Sequence, residues 1–276
     1  MRRKGKPLPS QSGTAILVTP DNFNRAETDM YFEMFAKQGG FGKFAHLRDL
    51  PLENTGVRPN RDTLYSLGVF DLDAGPVTIT LPDAGQRFMT MLVIDEDHYA
   101  YGTVYGAGSH TYTRQQIGTR YVFMAVRTLV DPNSAEDLQR VRALQDAIEV
   151  EQPGGPGRLE VPNWDQASQK KVRGALLVLN ETLPDLRHAG GRKDQVDPVR
   201  HLIATAAGWG LNPDKDAIYL TITPSKNDGS GVYRLSVKDV PVDGFWSNVR
   251  ARSLISQPGH HCGCSSIYAR PTRPNQ

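Results

Sequence analysis

A chain of 276 residues with 38% hydrophobic and 22% charged residues is long enough for two modest domains with ordinary cores, and its composition excludes long disorder. The formal charge of +2 hides a split. Setting aside Arg2, Arg3, Lys4 and Lys6 and the four arginines after Asn248 leaves 24 basic against 30 acidic residues, a body of net charge −6 without the clustered cations that hold a phosphate backbone, which excludes nucleic acid as a partner.

In chain order, Thr19-Pro20-Asp21 predicts a helix start with Thr19 as cap, and Phe23, Ala26, Met30 and Met34 recur at helical spacing until Gly39-Gly40. From Asp62 to Val130 the texture is that of strands. Those expected are Thr63–Leu72, Val77–Leu81, Arg87–Ile94 and Arg120–Val130, divided by turns such as Asp73-Ala74-Gly75-Pro76. Met89, Met91 and Val93 alternate with Phe88, Leu92 and Ile94, so the third strand is apolar on both faces and belongs inside a sandwich. Helices are expected over Ala135–Val150, over Asp165–Leu183 and from Asp197-Pro198 to Gly208 or Gly210. Two strands, Ala217–Thr223 and Val232–Val237, then flank a hairpin loop at 224–229.

After Trp246 the pattern fails: Asn248 to Gln276 holds no acidic residue and no helix or strand period. Two strands cannot bury a core alone, so a continuation is expected to be missing, with exposed edges and aggregation as the consequence. No apolar run approaches the roughly 20 residues of a membrane span. The basic start is followed by an apolar run of only Ala15 to Val18, too short for an export core, so the chain as written is expected in the cytoplasm. Both cysteines, Cys262 and Cys264, lie in the tail, so the body has no disulfide framework.

Several long runs resemble a bacterial family known as domains of unknown function 1254 and 1214, found fused in that order. They include Thr19-Pro20-Asp21-Asn22-Phe23, Asn60-Arg61-Asp62-Thr63-Leu64-Tyr65-Ser66, and Val69-Phe70-Asp71-Leu72-Asp73-Ala74-Gly75-Pro76-Val77. Others are Asp97-His98-Tyr99, Val104-Tyr105-Gly106-Ala107-Gly108, Thr205-Ala206-Ala207-Gly208-Trp209-Gly210 and Val240-Pro241-Val242-Asp243-Gly244-Phe245-Trp246-Ser247. The resemblance covers Pro7 to Ser247. It implies a mainly β (α+β) fold: an N-terminal extension over 1–18, a β-sandwich over 19–130, a helical segment over 131–212, and the first strands of an incomplete jelly-roll-like domain over 213–247. The tail over 248–276 has the texture of a shifted reading frame after Ser247. Relatives often carry an export signal, making the periplasm the alternative location, and intact relatives are expected to be homo-oligomers.

Asp95-Glu96-Asp97-His98 closes an interior strand, and alternation places Asp95 and Asp97 on one face with Glu96 and His98 on the other. A carboxylate and a histidine at a strand end make a general acid/base pair or a solvated strand end with a structural histidine. Asn60-Arg61-Asp62 leads into Tyr65-Ser66. Arg61 suits a bidentate clamp on a carboxylate or phosphate with Tyr65 as donor, or an Asx turn with a surface ion pair. Arg127 lies in an apolar strand and requires a partner, for which Asp95 or Asp97 are candidates. Asp97, His98, Arg61 and Tyr65 are thus the candidate catalytic residues, and Arg127, Asn60 and Asp95 the candidate substrate-binding ones.

Ser66, Ser109 and Ser168 lack a nucleophile-elbow context, Gly106–Gly108 reads as a turn, and His46, His110, His188 and His201 are isolated. His260-His261-Cys262-Gly263-Cys264 has metal-ligand chemistry, but residues read out of frame were never selected together, so no metal and no cofactor is expected. A small-molecule ligand is the expected partner. Two classes stay open: a hydrolase or lyase acting on a small polar or anionic compound, inactive if truncated, or a non-catalytic binding or assembly module.

Overall fold

The computed structural model describes residues 14–50 and 60–219, and beyond these 234, 236, 238, 239, 242 and 244–246. The chain opens with helix α1 (Phe23–Lys37) and a two-residue strand β1 (Ala45–His46). Strands β2 (Thr63–Asp71), β3 (Val77–Leu81), β4 (Met89–Asp95), β5 (Ala100–Tyr105) and β6 (Gly108–Tyr112) follow, then a short helix α2 (Arg114–Ile117) and β7 (Tyr121–Leu129). Helix α3 (Ala135–Asp146), strand β8 (Glu149–Glu151) and helices α4 (Gln166–Asn180) and α5 (Pro198–Ala207) complete the described elements.

The strands form two antiparallel sheets, one of five strands in the order β1-β2-β7-β4-β5 and one of three in the order β6-β3-β8. Between them lies a core to which Phe70, Met91, Val93, Val122, Met124 and Val126 come from the larger sheet and Val77, Ile79 and Leu81 from β3. β3 reads apolar-polar because its outer face meets water, where Thr78 pairs with Thr111 and Thr80 with Ser109 across hydroxyls 2.8 Å apart. β4 is buried on both faces, as its sequence requires: its second face packs Leu92 and Ile94 against Phe32 of α1 and Trp209. Trp209 is the hub of that layer, stacked on Tyr31 at 4.4 Å and 5.2 Å from Phe123, with its indole N–H donated to Thr28. Helices α1, α4 and α5 share a further cluster of Phe23, Ala26, Leu176 and Ile203.

Four local expectations are corrected. Helix α1 starts at Phe23, not at Thr19: Asn22 Oδ1 accepts the Thr19 N–H, and residues 20–22 form a turn ahead of the first helical residue. Helix α3 stops at Asp146, because Glu149–Glu151 pairs as a strand with β3, Val150 opposite Ile79. β5 and β6 carry glycines and polar residues and gave no apolar alternation, yet they flank the turn predicted at Gly106–Gly108, where both glycines have positive φ. The alternation expected through Asp95–His98 ends at Asp95, since residues 96–98 form a turn and His98 has φ +69°. The strands expected over 217–223 and 232–237 fall largely outside the described residues, of which 217–219, 234 and 236 carry no strand. The loop 224–229 and the tail 248–276 also lie outside them. No helix among the described residues is long and apolar enough to cross a membrane.

Candidate functional site

Antiparallel register places four side chains in one row across the larger sheet. Tyr65 on β2 faces Arg127 on β7, Arg127 faces Thr90 on β4, and Thr90 faces Tyr105 on β5. Directly paired residues share a face, so a phenol, a guanidinium, a hydroxyl and a second phenol lie side by side. They occupy the face opposite the sandwich core, continuing the apolar row of Leu67, Ala125 and Leu92.

The segment after Trp209 supplies further polar groups. Arg127 is 6% exposed and donates from one terminal nitrogen to Asn212 Oδ1 at 3.0 Å. Asn212 in turn donates to the Tyr219 hydroxyl at 2.9 Å, and Tyr105 donates to Asp216 Oδ1 at 2.7 Å. At the other end Asn60, 1% exposed, organises the start of β2: its carbonyl oxygen accepts from the backbone of Asp62 and Thr63 and from the Thr63 hydroxyl, all within 3.0 Å. Its amide donates to the Tyr65 hydroxyl at 2.9 Å. Burial raises the pKa values of Tyr65 and Tyr219 above the ordinary phenol value against the opposing pull of Arg127, so both stay protonated donors.

Three buried polar atoms here have no hydrogen-bond partner among the described residues: Arg127 Nε, Thr90 Oγ1 and Asp216 Oδ2. Each such atom costs about 1–3 kcal/mol if left bare. Arg127 makes no ion pair among the described residues. Its partner is the neutral Asn212 rather than Asp95 or Asp97, because Asp95 pairs with Val122 while Thr90 pairs with Arg127. Five residues of strand separate the two, about 16 Å.

The sequence candidates therefore fall into two groups. Tyr65, Asn60 and Arg127 come together in the row, while Arg61 is exposed at its edge. Asp95, Asp97 and His98 form a separate corner where the β4–β5 turn meets α1 and α5. Asp95 Oδ1 accepts the backbone N–H groups of Asp97 and Tyr99, and Asp97 pairs with Arg25 at 2.8 Å. His98, 4% exposed, accepts the Gly210 N–H on Nε2 at 2.7 Å and therefore donates from Nδ1 to Thr205 at 2.9 Å. Burial, with His201 beside it, holds its pKa well below the usual imidazole range. Burial also raises Asp95 and Asp29 to about 7, helped by the neighbouring Asp97 charge at Asp95 and by Glu96 and Asp97 at Asp29. No three carboxylate, imidazole or thiol groups among the described residues converge as a metal-ligand set. Thr90, Tyr105, Asn212, Asp216 and Tyr219 escaped sequence reasoning. The one signal was the arginine in an apolar strand, which announces a partner without naming it.

Fold and register together define a two-sheet, mainly β protein with a polar row that holds Arg127 on the sheet face away from the sandwich core. Residues 41–116 match the model of a family described as "Protein of unknown function (DUF1254)", which bears out the resemblance over that segment and includes Asn60, Tyr65, Thr90 and Tyr105. The fold is similar to that in the crystal structure of the VPA0106 protein from Vibrio parahaemolyticus, with a TM-score of 0.55 and 14% identity over 72% of this chain and 68% of that one. At that identity the likeness is one of fold. No curated protein matches the chain in sequence.

Proposed function

We propose that this protein binds a small organic anion, with Arg127 as the group that meets its charge. The observation that carries the reading is a guanidinium buried at 6% exposure whose hydrogen-bond partner is a neutral amide and whose Nε has no partner among the described residues. A buried cation without a counter-charge is costly, and an incoming anion supplies one along with an acceptor for the Nε–H. Thr90 and the protonated Tyr65 stand on either side of Arg127 as further donors. Asp216, 8% exposed beside Tyr105, already places one carboxylate at the end of the row, which weighs more against a dianionic phosphate than against a monocarboxylate.

The test is thermal unfolding of the full chain with increasing acetate, lactate, benzoate and inorganic phosphate, at constant ionic strength. The wild type is expected to gain stability with monocarboxylates by mass action. Arg127→Gln is expected to lose that gain. An equal gain in both proteins, or none in the wild type, contradicts the reading.

A hydrolase or lyase acting on such a compound is the second reading, favoured by Tyr65. Its oxygen accepts two bonds from Asn60, its hydroxyl also meets the Thr63 side chain, and it lies directly across from Arg127 in the sheet. With its pKa raised by burial, Tyr65 suits a hydrogen-bond donor to an oxygen that gains negative charge rather than a proton donor. The Asp95–His98 corner stands too far along β4 to act on the same atoms.

A further inference from the structure

We propose that His201 is a pH-sensitive latch, a buried imidazolium that ties helix α5 to two separate backbone carbonyls and lets go of one of them when it loses a proton. The inference stands apart from the anion reading above and uses none of its residues.

His201 is 1% exposed in α5. Its Nδ1 lies 3.0 Å from the carbonyl oxygen of Ala189, in the segment before α5. Its Nε2 lies 3.0 Å from the carbonyl oxygen of Asp97, in the turn between β4 and β5. A carbonyl oxygen only accepts, so each contact requires an N–H on the ring. A neutral imidazole has one N–H and one lone pair, and only the imidazolium has two N–H groups. Loss of either proton turns a lone pair toward a carbonyl oxygen and ends that contact.

The surroundings suit a cation. Tyr99 stacks on the His201 ring at 4.2 Å with 8° between the planes, offering a π face to the charge. His98, 5.4 Å away, is neutral because its Nε2 accepts the Gly210 N–H, so it adds no second positive charge. The β4–β5 turn further brings Asp95 and Asp97, the latter paired with Arg25 of α1. The segment before α5 brings His188, paired with Asp214, and Lys193, over the Tyr99 ring at 6.0 Å. On α5 itself Asp197 caps the first turn and Arg200 pairs with Asp185. What the latch joins gives it reach: Gly191 accepts the Ala100 N–H of β5, and α5 runs on into Trp209, the hub of the layer beneath the sheet.

NMR of the full chain with 15N-labelled histidine rings, assigned through bonds, tests the charge. His201 is expected to show two protonated ring nitrogens at pH 7.5 and to lose one as pH rises toward 10. One protonated nitrogen at pH 7.5 overturns the proposal, and two at pH 10 overturn the latch by showing a fixed ion. Urea titrations of wild type and His201→Gln read the consequence. The unfolded imidazole gives up its proton near pH 6.5, so a proton held by the folded ring stabilises the fold fully below that pH and ceases to as pH rises through the folded ring's own titration. The wild type's advantage over His201→Gln is therefore expected to shrink about tenfold in the folding equilibrium constant per pH unit above 6.5. The carboxyls of Asp29 and Asp95 titrate in both proteins and cancel in the difference. A difference that does not change with pH overturns the latch, and should His201→Gln fail to fold, the nitrogen spectra decide alone.

Discussion

Asp29 is 1% exposed inside helix α1, with one carboxylate oxygen taking the Trp164 indole N–H at 2.8 Å and the other without a partner among the described residues. Its pKa, raised to about 7 by burial, lies above the value of about 4 it has in the unfolded chain. The unfolded state therefore gives up its proton first, and stability supplied by the neutral carboxyl is full below pH 4 and lost as pH rises toward 7. His98 works in the opposite direction: its folded pKa is depressed, so its contribution is present above about pH 6.5 and lost as pH falls below it. Asp29→Asn keeps an acceptor for Trp164 and cannot ionise. Its stability relative to wild type is expected to improve from pH 5 to pH 8 in urea titrations; a difference independent of pH would show that Asp29 does not ionise against the fold. At this scale the sequence was legible in part. Arg127 between Val126 and Thr128 declared its need for a partner, but Asn212 stands 85 residues away in a segment with no period to place it.

Strands with one strong signal were legible because burial on one or both faces leaves an apolar pattern, as in β3 and β4. β5 was not, because it lies at an edge of the larger sheet and is mostly half-buried, so few apolar residues are required of it. β8 was hidden inside a helical pattern and is held by its surroundings. Gln152, just after it, donates to the carbonyls of Asp71 and Gly75. The turn beyond presses on the same segment, and a Cβ on Gly154 would lie 1.6 Å from the Ala74 carbonyl oxygen. Gly155 next to it faces open space at φ +77°. Gly154→Ala is expected to cost about 2–3 kcal/mol through forced backbone displacement, and Gly155→Ala only about 1 kcal/mol of left-handed strain. Denaturant melts that rank the two variants the other way would show that the 152–155 turn does not dock on β2's end.

The whole molecule builds its candidate site from pieces no local pattern connects. Tyr65, Thr90, Tyr105 and Arg127 belong to four strands, brought into one row by antiparallel register, and Asn212, Asp216 and Tyr219 arrive from beyond the helical layer. Sequence reading recovered the two-sheet class and named Tyr65, Asn60 and Arg127. It also grouped them with Asp95, Asp97 and His98, because strand-end chemistry looks alike wherever the strand ends. The register separates the two groups, and it follows from pairings that only the folded sheet specifies. If a bound anion supplies the charge facing Arg127, a crystal structure of the full chain grown with excess benzoate will show it at the atoms concerned. A carboxylate is expected within hydrogen-bond distance of Arg127 Nε and Thr90 Oγ1. An Arg127 paired instead with an aspartate or glutamate of the chain itself, with no benzoate beside it, would contradict it.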